Sequence, residues 1–234
     1  MKKIWKYRFY YYLALPGLIY FIIFHYVPMG GALIAFKDIS PFDGLRGFFD
    51  APWVGFKHFE RFTSSVYFLD VIENTLIISG LKILFGFPAP IILALLLNEV
   101  LRMSLKRIMQ TISYLPHFIS WVVTAGMITA LLATSGGLLT ETINDFTGSN
   151  INFLGNKDYF VGILVTSHVW KTIGWSSIIY LAAMSSIDPA LYESARIDGA
   201  NRLQMAWHIT LPSIMFVIVI MFLLEIGNLL EAGF

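Results

Sequence analysis

Three charged side chains, Lys82, Lys171 and Glu225, fall near the middle of long apolar runs. A charge at the centre of a bilayer costs about 2.5–3.5 kcal/mol on insertion scales unless it is paired or wetted. The expected arrangement is therefore an ion pair of Glu225 with Lys171 or Lys82. His168 lies three residues before Lys171 and shares its helical face. Such a polar face either lines a path through the membrane, with Trp170, Trp175 and Asn228 beside it, or does no more than orient the helices that carry it.

Other chemistry finds no residues to carry it. The histidines at 25, 58, 117, 168 and 208 never take the i, i+4 spacing of a helical zinc pair, and no glycine-rich phosphate loop is present. The chain has no cysteine, which excludes thiolate metal sites and disulfides. No catalytic set, metal site or cofactor site is expected. An intramembrane enzyme built on His168, Lys171 or Glu225 would need a nucleophile held against a base, and the sequence offers no such pairing.

The elements that position these residues are membrane spans. Hydrophobic residues make up 57% of the chain and charged residues 13%, where an ordinary soluble domain has about a quarter charged. Net charge is +1, so no global field points to nucleic acid or an acidic substrate. Apolar runs predict five spans, at 11–36, 71–97, 111–133, 159–183 and 213–233. The first follows Lys2, Lys3, Lys6 and Arg8 with no acid among them. It contains Pro16 and Pro28 and lacks a small-x-small cleavage site, so it reads as an uncleaved span with its amino end in the cytoplasm. That orientation puts Arg102, Lys106, Arg107, Arg196 and Arg202 inside as well, against Lys37, Arg46, Lys57, Arg61 and Lys157 in longer outer loops, in keeping with the positive-inside rule. In the first outer loop Trp53, Phe56, Phe59 and Phe62 recur every three residues, the pattern of one face of a short helix lying on the membrane or on a partner.

The longest polar stretch in the second half runs from Ser185 to Pro212 between two spans. Asp188 can cap a helix starting at Pro189, Gly199 suits a left-handed stop, and Asn201 can cap a second short helix that Pro212 follows. The pattern Glu193-Ser194-Ala195, Asp198-Gly199-Ala200, then Ile209, Leu211 and Pro212 resembles the loop shared by permease subunits of ATP-binding cassette (ABC) importers, with Ser194 in place of the usual middle alanine. The stretches Tyr114-Leu115-Pro116-His117-Phe118-Ile119-Ser120 and Asp198-Gly199-Ala200-Asn201-Arg202 resemble, within the maltose-type group, the permeases that work with lipoprotein-anchored binding proteins for oligosaccharides or polysaccharide fragments.

The resemblance implies an all-α, polytopic helical bundle forming one permease domain over 1–234. Its cytoplasmic helix-turn-helix coupling loop, at 184–212, would dock on an ABC ATPase. Leu191, Tyr192 and Ile197 are candidate anchors, and the small residues 194, 195, 199 and 200 permit close approach. It also implies a second permease subunit, an extracytoplasmic solute-binding protein, a carbohydrate substrate, ATP hydrolysis in the partner rather than here, and residence in the cell membrane among lipid; the polar face of Lys82, His168, Lys171 and Glu225, with Trp170, Trp175 and Asn228 for sugar stacking and hydroxyl contacts, is the candidate path for that substrate. Related permeases generally have six spans. This chain stops at Phe234, at the end of the fifth, so truncation before a sixth is expected, and a fragment that only binds its ATPase is the alternative.

Overall fold

The computed structural model of the chain describes residues 5–40 and 42–227. Lys2, Lys3, Pro41, Asn228 and the remainder of the predicted fifth span lie outside the described residues. Helix is the regular structure throughout: among the described residues there is no strand, only one antiparallel bridge between Lys37 and Trp53. The chain divides into two compact units, Met1–Val71 and Ile72–Phe234.

In the first unit, helix α1 runs over Arg8–Phe36 and is followed by the short α2 (Gly44–Asp50) and α3 (Lys57–Thr63). Phe36, the last residue of α1, is the hub of an aromatic cluster. Trp53 stacks flat on it at 5.5 Å, and Phe56 and Phe59 pack against it at 5.6 and 5.3 Å. The predicted stripe is thus split, because Trp53 lies in the extended bridge and the helix begins only at Lys57. The Lys37 amine donates to the carbonyls of Phe48 and Phe49 at 2.8 and 3.1 Å, closing the end of α2.

Asp38 accepts a 2.6 Å hydrogen bond from Lys57. That bond, reinforced by the lysine charge, holds the Asp38 carboxyl below its ordinary value of 3.8. A carboxylate with a depressed value in the folded state adds stability above its unfolded value and loses it as pH falls through the folded value. Amide exchange over residues 37–60, corrected for intrinsic rates, is therefore expected to be unchanged from pH 7 to pH 5. Loosening should set in only below about pH 4, and a midpoint near neutrality would show that another group controls the segment.

The second unit is built on α4 (Phe68–Asn98) and α8 (Lys157–Met184), with α5 (Met103–Phe118), α6 (Trp121–Leu132), α7 (Leu138–Thr147), α9 (Pro189–Ile197), α10 (Arg202–Ser213) and α11 (Met215–Gly227) around them. Asn156 caps α8 by accepting from the Asp158 amide at 2.9 Å, and Ser120 caps α6 by accepting from Val123 at 3.2 Å. Ala94, Tyr180, Met184 and Ile214 form the core where α4, α8 and the start of α11 meet, packed by Ile91, Leu181 and Val217.

Among the described residues, fewer than five helices have a span's length and apolarity on their own. By length and apolarity α1 and α4 qualify, and counting the bent pairs α5–α6 (99°) and α10–α11 (66°) as one span each gives four. The predicted third span is not one rod: Pro116 ends α5 in a tight 3-10 turn, Ile119 and Ser120 are extended, and α6 starts afresh. Helix α8, the predicted fourth span, is 28 residues long yet does not qualify, since it carries Lys157, Asp158, Lys171 and a series of Ser, Thr and His residues. Val165, Lys171, Gly174, Ser177, Tyr180 and Met184 are buried along it, so much of its polar content faces protein.

Three helices carry one widened, π-type turn each, at Ile22–Tyr26, Lys82–Gly86 and Ala206–Thr210. Each lies two residues before a proline: Pro28, Pro88 and Pro212. A proline has no N–H to donate and its ring collides with the carbonyl four residues back, and an i→i+5 turn at that point moves the carbonyl aside. Pro212 accordingly does not follow α10, as the sequence suggested, but lies within it.

Candidate functional site

Two features of the second unit gather the candidate residues. The first is the turn between α9 and α10. Asp188 accepts from the Ala190 amide at 2.9 Å, with Pro189 at the first helical position. Helix α9 ends at Gly199, whose φ of +79° lies in the left-handed region that side chains disfavour. The Ala200 amide closes on the Ala195 carbonyl at 2.9 Å. Asn201 and Gln204 then form a reciprocal capping box at 2.9 and 2.8 Å, which starts α10.

The two helices enclose a groove of about 360 Å³ lined by Ala195, Asp198, Gly199, Ala200, His208 and Ile209, among others. Glu193 and Ser194 lie exposed on α9, while Leu211 and Pro212 continue α10 toward the core. Ile197, Leu203 and Trp207 present 87%, 77% and 67% of their surface. Tyr192, expected as a free anchor, is instead half-buried, with its hydroxyl 2.9 Å from the Thr210 hydroxyl. It staples α9 to α10, while Leu191 and Ile197 face outward. Arg202 meets Glu99 at 3.3 Å, tying this turn to the segment after α4.

The second feature is a cavity of about 590 Å³ between α4, α6, α8 and α11. Lys82 reaches it from the widened turn of α4, His168 and Thr172 from α8, Trp121 and Thr129 from α6, and Glu225 from α11. Lys82 and Glu225 thus bring opposite charges to one cavity, and the rings of Trp121 and His168 lie parallel, 6.4 Å apart. Ser79 also lines the cavity; it is buried to 4% exposure, and its hydroxyl oxygen, itself shielded from solvent, has no hydrogen-bond partner. A buried hydroxyl left unsatisfied costs about 1–3 kcal/mol.

Of the residues expected along a membrane path, the structure brings Lys82, His168 and Glu225 together at this cavity. Trp170 is exposed elsewhere on α8, and Trp175 stacks on His117 at 4.5 Å. Lys171 is buried at 6% exposure, and its amine donates to the carbonyls of Pro116, His117 and Ile119. Its partners are thus backbone carbonyls of the α5–α6 corner, not Glu225 as the pairing argument allowed. Asn228 lies outside the described residues. Sequence reasoning missed Ser79, Trp121, Thr129 and Thr172; the last had a signal, a polar residue four after His168 in an apolar helix.

A sequence model of the family described as binding-protein-dependent transport system inner membrane component matches residues 86–233. The chain is 48% identical over 233 residues to the polygalacturonan/rhamnogalacturonan transport system permease protein YteP of Bacillus subtilis (strain 168), covering 99% of this chain and 71% of that protein. Among solved structures, a bacterial ABC transporter involved in the import of the acidic polysaccharide alginate is similar with a TM-score of 0.88 and 43% identity, over 99% of this chain and 77% of that one. A bacterial alginate ABC transporter in complex with an alginate pentasaccharide-bound periplasmic protein is similar with a TM-score of 0.87 and 41% identity, over 99% and 76%.

Proposed function

The chain belongs to the family of binding-protein-dependent transport system inner membrane components, and on that premise we propose that it is a permease subunit of an ATP-driven importer of sugars, oligosaccharides in particular. The observation that carries the reading is the α9–α10 turn. It is a rigidly capped helix-turn-helix with an open groove and unpartnered apolar side chains, lying inside the segment that the family matches. It is the cytoplasmic coupling element that an ABC ATPase grips, with Glu193, Ser194, Ala195, Asp198, Gly199 and Ala200 at the contact and Ile209, Leu211 and Pro212 holding its frame.

The amino end is cytoplasmic and α8 is counted as a span, giving five; its polar side chains are sheltered by neighbouring helices, as they must be in a bilayer. The cavity with Lys82, His168, Glu225, Trp121 and Ser79 is this chain's share of the translocation path, where an aromatic face and hydroxyl-binding groups suit a sugar. A second permease subunit completes the path, and an extracytoplasmic binding protein delivers the substrate. The similar alginate transporter in complex with an oligosaccharide-bound periplasmic protein supports that arrangement.

The test is co-purification in detergent of this chain with candidate ABC ATPases and a second permease, beside a Gly199→Trp variant. Gly199 has open space for a side chain but a positive φ that an L side chain strains, so the variant both crowds the docking face and strains the turn, while leaving the core untouched. The wild type is expected to retain the ATPase and the variant to lose about nine-tenths of it, a tenfold change or ~1.4 kcal/mol. Failure of the folded wild type to retain any ATPase would refute the reading.

A further inference from the structure

The corner between α5 and α6 is gripped by one face of α8. His168, Lys171 and Trp175 stand three and four residues apart, so they project from the same side of that helix. Each takes hold of a different part of the corner. Trp175 stacks on the His117 ring at 4.5 Å with the planes 1° apart. His168 lies parallel to Trp121 at 6.4 Å. Between these two ring pairs the Lys171 amine donates to Pro116 at 3.3 Å, to His117 at 3.0 Å and to the Ile119 carbonyl. It also lies 5.2 Å from the centre of the Trp121 ring.

The chemistry of this contact follows from the break in the chain. A helix end leaves its last carbonyls without intrahelical donors and concentrates negative partial charge there. An ammonium has three N–H donors and a full positive charge, and here it meets three carbonyl oxygens of the corner. Hydrogen bonds from a charged donor are roughly twice as strong as neutral ones. The corner in turn sets where α6 begins, and the first residue of α6, Trp121, lines the cavity together with His168 and Thr172 on either side of Lys171 in α8. A side chain that does not itself line the cavity thereby fixes the angle between two of its walls.

We infer that Lys171 is a positioning residue of the transport path: its charge, not only its bulk, holds the α5–α6 corner on α8, so that corner, Trp121 and α8 move as one body through the transport cycle. The inference rests on the permease reading for its transport arm alone; its geometric arm does not.

The experiment uses the assembled transporter with Ala125→Cys as a reporter, since the chain has no cysteine of its own and Ala125 lines the cavity from α6. Lys171→Met keeps the length and removes the charge; Lys171→Arg keeps the charge. In Lys171→Met the labelling rate of the introduced thiol by a water-soluble reagent is expected to change by about tenfold or more, the scale of losing charge-assisted hydrogen bonds, and substrate-dependent uptake to fall by a similar factor. Lys171→Arg should recover most of both.

If Lys171→Met does not assemble, recovery of assembly, labelling and uptake by Lys171→Arg carries the same conclusion. The inference is overturned if Lys171→Met labels and transports like wild type, or if Lys171→Arg is as defective as Lys171→Met, because then size and packing, and not charge, govern the site. A normal labelling pattern in Lys171→Met with uptake absent in every form, wild type included, would strike the permease reading and the positioning role separately.

Discussion

Replacing Gly174 by leucine is expected to abolish recovery of folded protein, and even alanine should cost about 1–3 kcal/mol or more, the range for overpacking a tight site. A Cβ on Gly174 would run into the carbonyl group of Ser113 and stand 2.9 Å from the Tyr114 amide nitrogen. Both are backbone groups of α5, which cannot swing aside as a long side chain can. This is the close approach that small residues permit between membrane helices. At Gly80 and Gly126 an added methyl group would meet nothing within 4 Å, so alanine there serves as the control. Thermal melting of the detergent-solubilised complex would decide the matter: a Gly174→Ala transition coinciding with those of the two controls would show that α5 and α8 can separate without loss.

Glu225→Lys should reduce uptake by about tenfold or more. It would place a third nitrogen base in a cavity that already holds Lys82 and His168 and would remove the carboxylate that shares that cavity with them. Like charges in a partly dehydrated site repel on the order of a few kcal/mol at an effective dielectric near 20, more than enough for a tenfold change. Glu225→Gln should be milder, since it leaves a hydrogen-bonding group in place. The charge swap Lys82→Glu with Glu225→Lys tests whether the two act as a pair. Uptake restored toward wild type in the double variant is the expected result. Unchanged uptake and protein level in Glu225→Lys alone would sink the idea that this charge matters to the path.

What could be read in the sequence was whatever is decided locally. Asp188, Pro189, Gly199, Asn201 and Gln204 act within a few residues of themselves, and the α9–α10 turn has the caps their types imply. The partner of Lys171 was not legible, because backbone carbonyls more than fifty residues away have no residue type that marks them. The sharp corner before α6 had only Pro116 and Ser120 as signs, and hydropathy, which reads composition and not direction, passed smoothly over it. Helix α8 shows the converse. Its Ser, Thr, His and Lys residues lower its apolarity, yet it is the helix around which α4, α5 and the corner pack. Trp121 and Ser79 were overlooked for a related reason: in an apolar run nothing distinguishes a tryptophan or serine facing a cavity from one facing lipid.

The three widened turns also bear on how helices of this kind can change length over generations. Losing one residue from an ordinary α-helix turns everything beyond it by about 100°, which would bring lipid-facing side chains into the core. A widened turn already contains one residue more than the regular helix requires. A deletion within Lys82–Gly86 or Ala206–Thr210 would restore regular winding and leave the faces beyond in register. The proline two places further on would then sit in regular helix, as Pro16 does in the first part of α1, at a cost of up to about 3 kcal/mol. Residue count and proline are thus physically coupled at these turns: a one-residue deletion there is expected to be better tolerated when Pro88 or Pro212 is exchanged as well.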